Sequence, residues 1–385
     1  MTNLTTDQKM MLETIRSFMT KEVAPYSREM DETETFRIEL KEKCASLGLY
    51  ASIVPVEFGG MGMDLTSFCL SIEEIAKVDA SLGVVIQDNG TGLRPILLCE
   101  DEALKKDVFS KVVNENASVG FAITEPNAGS DTASITTKAT REGENYKING
   151  RKTFITNAGI SDYYIIFALT DFKARHRGMS AFFVAANSSG LSIGKKESKL
   201  GLRGSPTADI ILEDVIVPSK HRIGEENSAF YLLMRTLDAT RPTIAAQALG
   251  IAEGALEYAI NFAKEREQFG QPIIEFQGIQ WLIADMATQI EAARALLYQA
   301  TKLYDEEFEN ITPLSAMSKL YCTDVAMQVT TNAVQVMGGY GCVKDYPVER
   351  MMRDAKITQV YEGTNQIQRI VIARSIRRKG YPFFT

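Results

Sequence analysis

The spacing of apolar positions along the chain changes period twice. From residue 5 to about 120 apolar residues recur every three or four positions, which predicts helices. A first helix is expected with Thr6 as its cap and Met10, Leu12, Ile15, Phe18 and Met19 on its apolar face. The Gly-rich run after Pro55 breaks that pattern, and Leu65, Phe68, Ile72 and Ile75 lead the next helix. From about 121 to 225 the apolar runs become short and β-prone: 163–169, 179–185 and 208–217, bounded by Gly, Asp or Pro. Asn149-Gly150, between two such runs, predicts a hairpin turn. From about 228 onward the helical period returns, with wide apolar faces over 244–264, 280–304 and 313–337.

Helices, strands and helices in separate blocks predict a multidomain α+β protein and exclude an alternating doubly wound sheet. The expected division is an all-helical N-terminal domain over 1–120, a central β domain over 121–227 built as a small barrel, and a C-terminal helical bundle of four helices over 228–385. A length of 385 residues, too much for a single hydrophobic core, agrees with that division. Neither GxGxxG nor GxxxxGK[ST] occurs, so the two commonest nucleotide loops are unsupported.

Composition narrows the chemistry. The formal charge of −7, with 45% hydrophobic residues, describes an ordinary globular chain without a nucleic-acid footprint. No apolar run reaches the roughly 18 residues of a membrane span, and the polar N-terminus is no signal peptide. Five cysteines without a CxxC pair read as reduced thiols of a cytoplasmic protein. Only two histidines, His176 and His221, leave no multi-His metal site, so no metal is expected. A carboxylate, a tyrosine or a bound cofactor must then carry any reaction.

Five clusters are candidates for that chemistry. Phe121-Ala-Ile-Thr-Glu-Pro-Asn-Ala-Gly-Ser-Asp131 offers hydroxyls and backbone N–H groups where helices give way to strands, or is a connecting turn. Phe154 and Thr156 share a strand face, suited to a flat cofactor or to ordinary sheet core. Arg266 precedes the helix stop Gly270-Gln-Pro272, where it meets either a pyrophosphate or the helix dipole. Gly338 and Gly339 allow close backbone approach, or simply cap a helix. Glu362 sits in a Tyr-Glu-Gly-Thr turn between two amphipathic stretches, as a base or a solvated charge.

In order and spacing these clusters resemble the signature segments of the acyl-CoA dehydrogenase family. The resemblance spans essentially the whole chain. Its most specific parts are 123–131, Leu200-Gly-Leu-Arg-Gly-Ser-Pro206 and 353–374. The resemblance implies that a carboxylate removes the C2 proton of an acyl-CoA thioester while hydride leaves C3 for N5 of FAD. Glu362 stands at the family's base position. Some relatives carry the base on an earlier helix, but here Leu237-Asp-Ala-Thr-Arg-Pro242 has the family's ordinary form, which favours Glu362.

The resemblance further implies FAD contacts at Phe121, Ile123, Thr124, Gly129, Ser130, Phe154 and Thr156. Phe154 stands where relatives commonly have Trp. Arg266, Phe269, Gln277, Gln335, Gly338 and Gly339 match contacts to the FAD of a neighbouring subunit, and Thr364 and Gln366 match contacts near its adenosine diphosphate. A homotetramer and an electron-transfer flavoprotein as acceptor are the implied partners. Ser130, Asp238, Arg241 and Gly363 match substrate contacts, and Tyr361 and Thr91 are further substrate-binding candidates. Arg241 can equally be a structural partner of Asp238 at i,i+3.

The segment Gln87–Pro95 aligns with the helix lining the family's acyl pocket, and Asp88, Thr91 and Arg94 are unusual there. Asp88 either caps its helix or pairs with Arg94, or it faces the substrate as a second base. In the latter case it would take a C4 proton from a cyclic, cyclohexene carboxyl-type acyl group in 1,4-dehydrogenation. The Arg that glutaryl-CoA dehydrogenases carry falls at Gly83, which argues against decarboxylating chemistry. The other readings are an acyl-CoA oxidase, usually much longer, an enoyl-CoA reductase running in reverse, and a non-catalytic FAD-binding scaffold.

Overall fold

The computed structural model describes residues 4–307 and 310–381. Six helices come first: α1 (Thr6–Phe18), α2 (Ser27–Thr33), α3 (Glu39–Ser46), α4 (Leu65–Ala76), α5 (Ala80–Leu98) and α6 (Glu102–Asn114). Thr5, not Thr6, caps α1: its hydroxyl accepts from Gln8 N–H, and the Gln8 side chain accepts from Thr5 N–H. This reciprocal capping box satisfies two donors that a cap at Thr6 would leave free. Leu12, Ile15, Phe18 and Met19 are buried as expected, whereas Met10 is exposed.

Eight strands follow: β1 (Val119–Ala122), β2 (Lys138–Glu142), β3 (Asn145–Thr156), β4 (Tyr163–Leu169), β5 (Met179–Ala185), β6 (Leu191–Lys196), β7 (Thr207–Pro218) and β8 (Arg222–Ile223). They form one sheet in the order β6-β7-β3-β2-β4-β5-β8, with β1 parallel to β4. The ladder wraps a core of its own that includes Tyr146, Tyr164, Ile166, Phe182 and Ile210. The hairpin turn is at Gly143-Glu144, joining β2 to β3, and Gly143 takes φ +60° there. Asn149-Gly150 lies inside β3 at a register shift against β7. Gly is needed at 150 because a Cβ would lie 2.4 Å from the Thr137 hydroxyl.

The last block holds α7 (Ala229–Glu265), a short hairpin at Glu267–Gln268 and Gln271–Pro272, α8 (Gln277–Asp305), α9 (Thr312–Met337), α10 (Val348–Thr358) and α11 (Asn365–Lys379). α9 packs against α7, α8, α10 and α11. One hydrophobic cluster joins this block to the N-terminal helices: Ile72, Val85, Ala245, Leu249 and Val329 belong to it together. The two helical blocks thus share a core, although the sheet separates them in sequence. Close approach makes this possible: a Cβ on Gly250 would lie 2.2 Å from the Glu73 carbonyl oxygen and one on Gly254 2.3 Å from that of Lys77. Among the described residues no helix is long and apolar enough to cross a membrane, and no group of three or more His, Cys, Asp or Glu could hold a metal.

Candidate active site

Glu362 lies in the turn between α10 and α11, with φ +52°, followed by Gly363 at +86°. A left-handed glutamate is strained by about 1–3 kcal/mol and persists only where its surroundings hold it. Gln368 Nε2 donates to the Gly363 carbonyl oxygen (2.9 Å) and more weakly to that of Glu362 (3.4 Å). Lys319 Nζ donates to the same Gly363 oxygen (2.9 Å). Thr364 closes the turn by capping α11 at Ile367 N–H (3.3 Å). The Glu362 N–H itself has no acceptor among the described residues.

The Glu362 carboxylate accepts from Thr240 Oγ1 (3.3 Å) on α7. Burial pushes its carboxyl up, and the Thr240 hydrogen bond and the charges of Arg241 and Lys319 only partly offset this. The residue keeps some accessible surface, yet its carboxylate is packed among enough protein atoms to lose most hydration. That combination, a desolvated acid with an open side, is what a general base needs.

Asp88 faces the same site. It sits in the middle of α5, and Asp79 is the cap of that helix. No ion pair links Asp88 to Arg94, whose guanidinium lies 5.9 Å from the Tyr304 ring centroid. Asp88 instead accepts from Asn157 Nδ2 (3.1 Å). Burial, then the negative charge of Glu362, pushes its carboxyl well above the usual range. The two acids, far apart in sequence, therefore sense one another across one space.

Several expected ligand contacts have protein partners already. Arg241, 5% exposed, is paired with Asp238 (2.7 Å), which also accepts from Thr312 (2.7 Å). Its charge also acts on Glu362. The Thr91 hydroxyl donates to the Gln87 carbonyl of its own helix (3.1 Å). The Tyr361 hydroxyl donates to Gln247 Oε1, and Gln247 Nε2 to the Ala80 carbonyl.

The loop after β1 is organised by Glu125, which accepts from Thr136 N–H (2.6 Å), Thr137 N–H (3.0 Å) and Lys152 Nζ (2.8 Å). Lys152 also holds the Ile123 carbonyl (3.1 Å). Phe121 is buried edge-on against Phe167, and Thr124 accepts from Thr153 N–H through its carbonyl. Gly129 and Ser130 are exposed or open, with nothing within 4 Å of a Cβ at 129. On β3 a register shift places Phe154 outward, 63% exposed and at φ +55°, beside the half-exposed Thr156.

A second surface gathers other expected residues. Arg266, Gly338, Gly339 and Tyr340 line a shallow cavity of about 470 Å³. Arg266 stacks over Tyr340 at 5.3 Å. Phe269 is 93% exposed at φ +52°, and Gln277, Gln335 and Gln366 are exposed. Thr240, Lys319, Asn157 and Gln368 are the site residues that sequence reasoning missed. The one available signal was Lys319, a cation amid the small and apolar residues of α9.

Comparison with known proteins matches three family models: Acyl-CoA dehydrogenase, N-terminal domain, over residues 5–116, middle domain over 120–215, and C-terminal domain over 227–377. A cyclohex-1-ene-1-carbonyl-CoA dehydrogenase of Syntrophus aciditrophicus (strain SB) is 44% identical over 377 residues, covering 98% of this chain and 91% of that protein. The solved butyryl-CoA dehydrogenase of Megasphaera elsdenii superposes with a TM-score of 0.95 at 41% identity, covering 98% and 99%. A chain from a structural study of the electron transferring flavoprotein of Acidaminococcus fermentans gives 0.95 at 43% identity, covering 98% and 100%.

Proposed function

The chain belongs to the acyl-CoA dehydrogenase family, and from that premise we propose that Glu362 is the base that takes the C2 proton of an acyl-CoA thioester. The observation that carries the assignment is the desolvated Glu362 carboxyl, held in a left-handed turn by a residue that keeps some accessible surface. A C2–H is a weak acid, so the thioester carbonyl needs a donor where enolate charge develops. That the Glu362 N–H has no acceptor among the described residues supports it as one. Thr240 holds the carboxylate, the charges of Arg241 and Lys319 moderate its basicity, and desolvation raises it.

The residues present fit FAD as the cofactor. Phe154 offers an exposed ring beside Thr156, the backbone at Gly129 is open, and Arg266 with Gly338 and Gly339 borders a cavity. When bound, the flavin supplies the acceptor for the hydride that leaves C3. Phe269, Gln277 and Gln335 expose their side chains, which supports binding across subunits of a tetramer. An electron-transfer flavoprotein is the proposed acceptor. The deciding experiment is Glu362→Gln, which should keep its bound flavin and lose nearly all dehydrogenation; substantial turnover would end the assignment.

A second reading concerns the acyl group. Asp88 lies across the site from Glu362, and the relative named for a cyclic carbonyl-CoA shares 44% identity. In this reading Asp88 takes the C4 proton of a cyclic 2-enoyl group while hydride leaves the other ring neighbour of C2 for the flavin, so that C2=C3 is replaced by two double bonds, C3=C4 and one from C2 to that neighbour, in 1,4-dehydrogenation. Its raised carboxyl must first be ionised, so the cyclic reaction should rise at higher pH than the linear one. Asp88→Asn should abolish the cyclic reaction and change butyryl-CoA turnover little. Equal losses on both substrates would remove the reading.

A further inference from the structure

Lys319 is fully buried in α9, yet among the described residues it makes no contact ion pair. Its ammonium donates instead to neutral acceptors, the Gly363 carbonyl and Asn365 Oδ1, each at 2.9 Å. Asn365 is itself anchored to Thr323 (2.8 Å) and Asp324 (2.7 Å). Burying a cation against neutral groups is expensive. Gln368 donates to the same Gly363 oxygen as a neutral group, so the two share the grip on the turn and Lys319 alone brings charge to it.

We propose that Lys319 is a positioning residue for Glu362: it grips the Gly363 carbonyl, which fixes the turn that aims the base, and it turns a positive charge held in no contact ion pair toward the carboxylate. The proposal rests on Glu362 being the base. The charged groups facing Glu362 are Arg241 from α7, neutralised by Asp238, Lys319 from α9 and Asp88 from α5. Those facing Lys319 are Glu362, Asp324 and Arg241. Burial pulls Lys319 down to about 7 despite the two acids, so the charge is present mainly at and below neutral pH. There it favours the ionised base and extends activity toward acid.

The test uses the flavin-loaded enzyme with Lys319→Met, Lys319→Gln and Lys319→Arg, reading kcat and KM separately and the pH profile of kcat/KM. Loss of aim should lower kcat about tenfold to a hundredfold in the Met variant, with KM nearly unchanged. In both the Met and Gln variants the acid limb should move to higher pH, because a charge that favours the carboxylate is gone. Lys319→Arg should keep the limb at its wild-type position. If Met fails to fold, the Gln limb alone decides. An unmoved limb in the Gln variant, or an Arg variant no better than Gln, overturns the proposal. Glu362→Gln is assayed alongside. If it is inactive while the Lys319 series behaves as wild type, only the Lys319 proposal falls; if it is active, both fall.

Discussion

The protein buries two lysines beside two glutamates and obtains opposite chemistry from them. In the sheet, Lys152 and Glu125 touch at 2.8 Å and are 0% and 4% exposed in their side chains. Burial pushes Glu125 up, but the contact with Lys152 and three protein donors outweigh it and hold the carboxyl at about 2. In the helical core, Lys319 is spent on a carbonyl one residue beyond Glu362, and the carboxyl there stays raised. Contact makes an inert fastener for the loop at Ile123; separation by one peptide leaves a carboxylate free to accept a proton. On the proposed assignment, contact with the cation, more than burial, divides a structural glutamate from a reactive one.

The largest effect should come from removing the reactive member. Glu362→Gln should lower kcat by about 10³-fold, within the range of a positioned general base, without loss of stability, since a desolvated acid is replaced by a neutral amide. Thermal unfolding beside steady-state rates checks both halves. Next, Lys152→Met leaves Glu125 buried and unpaired, and should cost about 3–5 kcal/mol. In the wild type, stability from this pair is present above about 4.5 and is lost as pH falls toward about 2. The Met variant should lack that acid-side loss in urea titrations.

The smallest effect tests an intermediate case. Asp354, 3% exposed and bonded to Leu202 N–H, is raised to about 7, mainly by burial. The folded chain then holds a proton that the unfolded chain releases, so stability falls as pH rises from about 4 to about 7. Asp354→Asn should flatten that slope and melt higher than wild type at pH 8. A wild-type slope of the opposite sign would place Asp354 with Glu125 instead.

The three blocks were legible because each keeps one hydrophobic period over many residues. Glu362 could be singled out by its place in a recognisable segment, and Asp88 by being unusual in one. The helpers were not. Thr240 reaches Glu362 across 122 positions, and Lys319 reaches Gly363 across 44. Such partners are chosen by packing and leave no local mark. The Asn149-Gly150 turn was misplaced for a related reason. Its glycine answers a close approach by Thr137 inside the strand, where a chain reversal leaves the same composition.

The core shared by the two helical blocks has a consequence for timing. α5 leaves the ribosome long before the turn that carries Glu362, with the whole sheet synthesised between them. Before the chain packs, Glu362 is in water and is an ordinary weak base. On the proposed assignment its basicity is a property of the packed chain, absent from an unfolded one.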